Sequence, residues 1–181
     1  VVVNNVGTSV AVKEAVIDSM PLVKRVVTVT GTCVREPQNL RVPIGTSVGD
    51  MIEACGGTRI PPKKVILGGP MMGVAQHSTD VPITKGTSGI LLLSENEAVL
   101  EEPLPCIRCG KCVEVCPMHL MPLSIAGYAE AGRFDDSERF GALDCIECGC
   151  CSFICPSHRR LVQGIRLAKA EIRAGQSARR A

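Results

Sequence analysis

The 181-residue sequence predicts an α+β fold in two parts, a mixed-sheet unit followed by a helical, cysteine-rich unit. Three observations predict it. Residues 25 to 94 carry short β-branched segments separated by turn residues, with one short amphipathic segment among them. Residues 95–105 turn acidic and then proline-punctuated, a change of composition that reads as a linker. Beyond them the pattern becomes helical, and nine of the eleven cysteines fall between positions 106 and 155.

Each element follows in order. The opening VVVNNVG reads as the end of a buried strand entering a turn, so the chain is expected to be a piece of a longer protein. Residues 10–20 read as a helix capped by Thr8 or Ser9 and stopped before Pro21. Segments 25–30 and 40–44 read as strands. Thr46 or Ser47 caps a short helix, VGDMIEAC, that ends at Gly56-Gly57. KKVILGGPMMG is a strand running into a Gly/Pro turn, and SGILLLS is another buried strand. Strands with a single short helix give an α+β unit with a mixed sheet. In the second part, residues 122–131 form a helix with Pro122 at its first position and Gly132 after its end. Residues 135–143 form a second helix with acidic residues at its start, and 160–174 form the last.

Composition bounds the function. Hydrophobic residues are 45 % and charged residues 21 %, values of an ordinary globular chain. Aromatic residues are only 2 %, which excludes a stacking platform for single-stranded nucleic acid and requires an aliphatic core. A net charge of +2 is too small for a generic nucleic-acid binder. No apolar run approaches the roughly 18 residues that would span a membrane. There is no basic segment followed by an apolar stretch and a small-residue cleavage site, so no signal peptide is expected. Eleven is an odd number of cysteines, and the first 105 residues hold only Cys33 and Cys55. That is not the pattern of a disulfide-stapled secreted domain, and it predicts a reducing compartment with thiolates used as metal ligands.

The cysteines are ordered. Cys106, Cys109, Cys112 and Cys116 follow C-x2-C-x2-C-x3-C and precede Pro117. Cys145, Cys148, Cys151 and Cys155 repeat the spacing 39 residues later and precede Pro156. CIRCGKCVEVCP and CIECGCCSFICP share seven identical positions, an internal duplication. The spacing is that of the bacterial two-cluster [4Fe–4S] arrangement, in which the fourth cysteine of each run serves the other cluster. The expected ligands are Cys106, Cys109, Cys112 and Cys155 for cluster 1, and Cys145, Cys148, Cys151 and Cys116 for cluster 2. Gly110 and Gly149 let the backbone approach the sulfurs, and Ile107 and Ile146 are expected to shield the clusters. Structural zinc is the alternative, although zinc sites usually use two Cys pairs separated by a longer stretch. Cys150, Cys33 and Cys55 read as small packed residues, and His77, His119 and His158 as solvent-facing. Arg159, Arg160, Arg166, Lys169, Arg173, Arg179 and Arg180 make the carboxyl end basic, read as a solvated helix face with contact to acidic subunits or anionic lipid as the functional alternative. No side chain is expected to act as acid, base or nucleophile.

These residues carry a resemblance. PCIRCGKCVEVCP, the stretch from HLMPLSIAGYAEAGRF to CIECGCCSFICP, and LVQGIRLAKAEI resemble the C subunits of the Rnf (Rsx) electron transport complexes. RVVTVTG, VPIGT and VILGGPMMG look like that family's soluble-ligand-binding β-grasp (SLBB) domain, and NNVGTSVAV like the end of its flavin- and NADH-binding domain. The resemblance implies four parts: a flavin-domain tail at 1–21, a β-grasp domain at 22–94, the 95–105 linker and a helical two-[4Fe–4S] ferredoxin domain at 106–181. It implies an electron-relay subunit of a membrane-associated ferredoxin:NAD oxidoreductase coupled to Na⁺ or H⁺ translocation, peripheral on the cytoplasmic side. The implied partners are the other subunits and ferredoxin or an iron–sulfur subunit, with no nucleic acid. FMN and NADH would bind in the preceding domain, with Asn4, Asn5 and Thr8 at the flavin edge. No G-x-G-x-x-G occurs in this sequence, so this stretch is expected to lack an NADH site. After Cys155-Pro156, SHRRLVQ departs from the family pattern by its two arginines. A cobalamin-reductase-like iron–sulfur flavoprotein and a non-catalytic iron–sulfur scaffold are the competing readings.

Overall fold

The computed structural model describes residues 1–99 and 101–178. Arg179 and Arg180 of the basic end, and residue 100 of the 95–105 segment, lie outside the described residues. The chain divides into two units, Val1–Val99 and Leu100–Ala181.

The first unit begins with α1, Val6–Ile17. Its cap is Asn5, whose side chain accepts from the Gly7 N–H, so the cap lies three residues before the expected Thr8. Val1, Val2 and Val3 are exposed and form no strand, which corrects the strand reading of VVVNNVG. No residue of α1 is buried. Five strands follow: β1 (Lys24–Thr30), β2 (Gln38–Pro43), β3 (Lys64–Leu67), β4 (Val74–Gln76) and β5 (Gly89–Leu93). They form one sheet in the order β2-β1-β5-β3-β4. β1 and β5 run parallel with Val29 opposite Ile90, and the other neighbours are antiparallel, so the sheet is mixed as expected. The strand β4 has no counterpart among the strands expected from sequence. It has three residues, too few to show an alternating pattern, and exists because it pairs back onto Val65 to Leu67 of β3.

One helix, α2 (Val48–Ala54), begins at Ser47, whose hydroxyl accepts from the Asp50 N–H at 3.0 Å. Val48, Met51 and Ile52 on α2 pack on Val27 and Val29 of β1, Val65 of β3, and Ile90 and Leu92 of β5. The two-residue period of β1 and β5 puts these strand residues on one face. Cys33 and Cys55 are fully buried in this core, acting as small apolar residues. Gly31 turns the chain out of β1 at φ +123°, and a Cβ there would stand 2.0 Å from the Leu92 carbonyl oxygen.

The second unit is helical. α3 (Lys111–Glu114) and α6 (Cys150–Phe153) are single turns inside the cysteine motifs, too short to register as periodic sequence. α4 (Pro122–Glu130), α5 (Phe134–Arg139) and α7 (Leu161–Ala178) enclose a core of Ile125, Ala126, Ala129, Ala142, Leu161, Val162, Ile165, Ala168 and Ile172. α5 ends earlier than residue 143, because Gly141 at φ +81° breaks it before a 3₁₀ turn, Ala142–Asp144. Half of this core comes from α7, beyond the last motif cysteine. α7 lies close on α4: a Cβ at Gly164 would stand 2.9 Å from that of Ala126.

Candidate metal centre

The duplication in sequence is a duplication in backbone. Arg108 and Glu147, at matching places, adopt φ +56° and +57°, and His119 and His158 adopt +52° and +49°. Gly110 and Gly149 adopt φ +79° and +86° and open α3 and α6. Left-handed glycines are the residues that make such tight loops without steric cost. Each loop turns backbone N–H groups toward sulfur. The Arg108 N–H donates to Cys106 Sγ at 3.3 Å, and the Glu147 N–H to Cys145 Sγ at 3.3 Å. The Leu120 N–H donates to Cys116 Sγ at 3.4 Å.

The motif cysteines line two cavities. The first, about 180 Å³, is bounded by Cys106, Cys109, Cys112 and Cys155, with Ile107 and Arg159. The second, tighter at about 20 Å³, is bounded by Cys116, Cys145, Cys148 and Cys151, with Ile146 and Leu120. Each cavity therefore takes three thiols from one motif and the last thiol of the other. Among the described residues, no three His, Cys, Asp or Glu side chains converge as they would around one metal ion. The thiols surround hollows instead. Around a single zinc, with Zn–S bonds of about 2.3 Å, they would crowd one point.

Four thiols per cavity, sulfur-directed amides and apolar walls fit a thiolate-ligated [4Fe–4S] group. An orphaned donor fits it too: Arg159, which borders the first cavity, carries a buried Nε without a hydrogen-bond partner. Burial pushes the Cys112 and Cys145 thiols above their ordinary range and Cys151 up to about 11. The cause is desolvation, which disfavours a bare thiolate. Iron ligation removes those protons outright.

Ile107 and Ile146 border the two cavities, yet they are 68 % and 52 % exposed. They cap the rims with one face to solvent and fall short of the full shield expected of them. Cys150 is half-buried at the start of α6 and does not border either of these cavities. The neighbouring Cys148 thiol is the main cause that pushes the Cys150 thiol above the ordinary range. His77, His119 and His158 lie at least partly open to solvent, and His119 and His158 border neither cavity. Asn4, Asn5 and Thr8 are exposed at the start of α1.

Two groups carry no motif in the sequence. Lys169 belongs to the basic carboxyl stretch expected to be solvated, yet its side chain is only 8 % exposed. Its ammonium donates to the Cys145 carbonyl at 2.8 Å and to Glu147 at 2.7 Å. Arg166 holds the other Glu147 oxygen at 2.8 Å. These cations keep Glu147 below the ordinary carboxyl range, the Lys169 hydrogen bond contributing most. The triad ties α7 to the loop that carries Cys145. The only signal in sequence is helical spacing, Lys169 falling four residues after Ile165 and three before Ile172 on the buried face. Arg159, from the same basic stretch, reaches the first cavity and is held by Glu130 at 2.9 Å.

Fold and site together define a two-unit iron–sulfur protein, with an SLBB-type α+β unit and a helical dicluster unit. Residues 26–75 match the SLBB domain family, and residues 98–156 match the 4Fe-4S dicluster domain family. Over almost its whole length the chain is homologous to the C subunits of ion-translocating ferredoxin:NAD(+) oxidoreductase complexes. It is 53 % identical, over 95 % of its length, to the C subunit of the Na(+)-translocating complex of Acetobacterium woodii, of which it covers 39 %. It is 51 % identical over 96 % of its length to the C subunit of the proton-translocating complex of Clostridium ljungdahlii, covering 38 %. It is 46 % identical over 98 % of its length to the C subunit of the ion-translocating oxidoreductase complex of Rhodobacter capsulatus, covering 34 %. The chain thus spans well under half the length of these relatives.

Proposed function

We propose that this chain is the electron-relay portion of a C subunit of a membrane-associated ferredoxin:NAD oxidoreductase that moves Na⁺ or H⁺. The observation that carries the reading is the sorting of eight motif thiols into two cavities, four to each. Cys106, Cys109, Cys112 and Cys155 hold the first [4Fe–4S] cluster, and Cys145, Cys148, Cys151 and Cys116 hold the second. Bound there, such clusters supply one-electron redox steps without proton chemistry. The chain's own part is to hold the thiolates, direct N–H groups at sulfur and limit water. Because the last cysteine of each motif serves the other cluster, the two sites are mechanically tied, and their spacing holds steady for electron transfer.

Residues 1–21 form the tail of a flavin- and NADH-binding domain in the longer protein, with Asn4, Asn5 and Thr8 toward the flavin and FMN and NADH bound in that domain. The apolar, unburied α1 supports this, since Val6, Val10, Val16 and Ile17 offer a surface for such a domain. Residues 22–94 are the β-grasp domain, 95–105 the linker and 106–181 the cluster domain. The partners are other subunits of the complex and ferredoxin or an iron–sulfur subunit, on the cytoplasmic face. Among the described residues, no helix is long and apolar enough to cross a membrane. The test is iron and acid-labile sulfide content with electron paramagnetic resonance on protein reconstituted without oxygen. About eight iron per chain and a spin-coupled signal after dithionite support the relay. About four iron, or zinc in its place, defeats it.

A further inference from the structure

Arg159 and Leu120 are mates in the internal repeat, each four residues after the last cysteine of its motif. The mates occupy matching places on the two cavities, Leu120 on the second and Arg159 on the first. At this equivalent position the cavities differ, aliphatic in one and cationic in the other, and Arg108 and Lys111 add further cations to the border of the first. Arg159 is not a free surface cation. Its Nη2 is held by both Glu130 oxygens, at 2.9 and 3.3 Å, and its side chain is 24 % exposed. That leaves Nε, a buried N–H with no partner, on a side chain that borders the thiol-lined cavity. A buried donor left unpaired is costly, and native structures rarely keep one. The acceptors that border this cavity are the four cysteine sulfurs and the Ser124 and Ser157 hydroxyls.

We infer that Arg159, anchored by Glu130, donates its Nε–H to sulfur of the first iron–sulfur cluster and makes that cluster easier to reduce. The inference rests on the two-cluster reading above. The physical reason is charge. Reduction adds an electron to the cluster, and a donor and a positive charge beside sulfur stabilise the added negative charge. The second cavity has Leu120 in that place and lacks this donor, its nearest described cation being Lys169 on the Cys145 carbonyl.

The test is a redox titration followed by electron paramagnetic resonance on the iron-loaded full chain, wild type against Arg159→Leu and Arg159→Lys. Arg159→Leu places at 159 the residue of its repeat mate. The wild type is expected to hold about eight iron and to show two midpoints. In Arg159→Leu one midpoint falls by about tenfold in the one-electron equilibrium, about 59 mV, while the other holds. Arg159→Lys keeps the charge but loses the planar N–H, and the same midpoint falls by less. Full iron with both midpoints unchanged overturns the inference, as do both midpoints falling together. Should Arg159→Leu fail to load iron, Arg159→Lys decides alone: a fall in one midpoint supports the inference and no fall overturns it. A wild-type chain without eight iron or without two midpoints defeats the two-cluster reading instead, so the two failures stay distinct.

Discussion

Pairs of cysteine substitutions distinguish the crossed arrangement from a motif-by-motif one by counting iron. Cys112 and Cys116 are neighbours in one motif but border different cavities, and Cys116 and Cys151 come from different motifs but border the same one. Each cubane carries about four iron, so a chain with both clusters should hold about eight. Cys116→Ala alone removes one ligand of four and should leave about four iron. Adding Cys151→Ala touches the cluster already lost, so the double variant should also keep about four. Adding Cys112→Ala instead strikes the surviving cluster, and iron should fall toward zero. Residues that act as one unit show this non-additivity, and residues of separate units do not. Iron and labile sulfide are measured on anaerobically reconstituted protein, with near-native far-ultraviolet circular dichroism as the folding control. If Cys112 with Cys116 keeps four iron while Cys116 with Cys151 loses all, each motif closes on its own cluster and the crossed reading is refuted.

Three further outcomes follow from the geometry. Gly31→Ala should cost about 2–6 kcal/mol in denaturant unfolding, summing a strained positive φ and a Cβ pressed into the Leu92 carbonyl; less than 1 kcal/mol would contradict the backbone described. Glu147→Gln should destabilise the loaded protein by about 1–3 kcal/mol at neutral pH, because it leaves the nearly buried Lys169 without its counter-charge. Glu147 is held below the ordinary carboxyl value of 4.5, so its contribution is complete above that value and lost as pH falls through the depressed one. Unfolding curves from neutral to acid pH should therefore show wild type and Glu147→Gln converge at the acid end, and a constant gap would speak against the ion pair. Cluster assembly should grow more favourable as pH rises toward about 11, since the Cys151 thiol must lose a proton held there by burial. Iron uptake independent of pH between about 7 and 9 would count against that burial.

Much of this molecule is written locally. The mixed-sheet unit and its single helix follow from β-branched runs, Ser47 and the Gly56-Gly57 stop, because strands and caps depend on near neighbours. Pro122 and Gly132 bracket α4 for the same reason. The duplicated spacing of the motif thiols is likewise local, and the cavities they line each take three thiols from one motif and one from the other. The elements that local reading misses are short or fully exposed. β4 is three residues long and exists through pairing with β3. α1 starts at Asn5 because that side chain, rather than Thr8 or Ser9, reaches the free Gly7 N–H.

The identity and spacing of the eight thiols, the glycines that let the motif loops turn, and the α+β order are all properties of residues within a few positions of one another. The sequence alone carries them. The places of Lys169, Glu147 and Arg159 are different. In composition they are charges in a polar stretch or a motif loop, and only the packing of α7 against α4 and the second loop buries Lys169 onto the Cys145 carbonyl. Arg159 likewise lies on the wall of the first cavity through Cys155, a cysteine that sits 43 residues beyond Cys112 in sequence and lines the same hollow in space. Burial and charge partners are set by contacts distant along the chain, and those contacts exist only once the chain has folded.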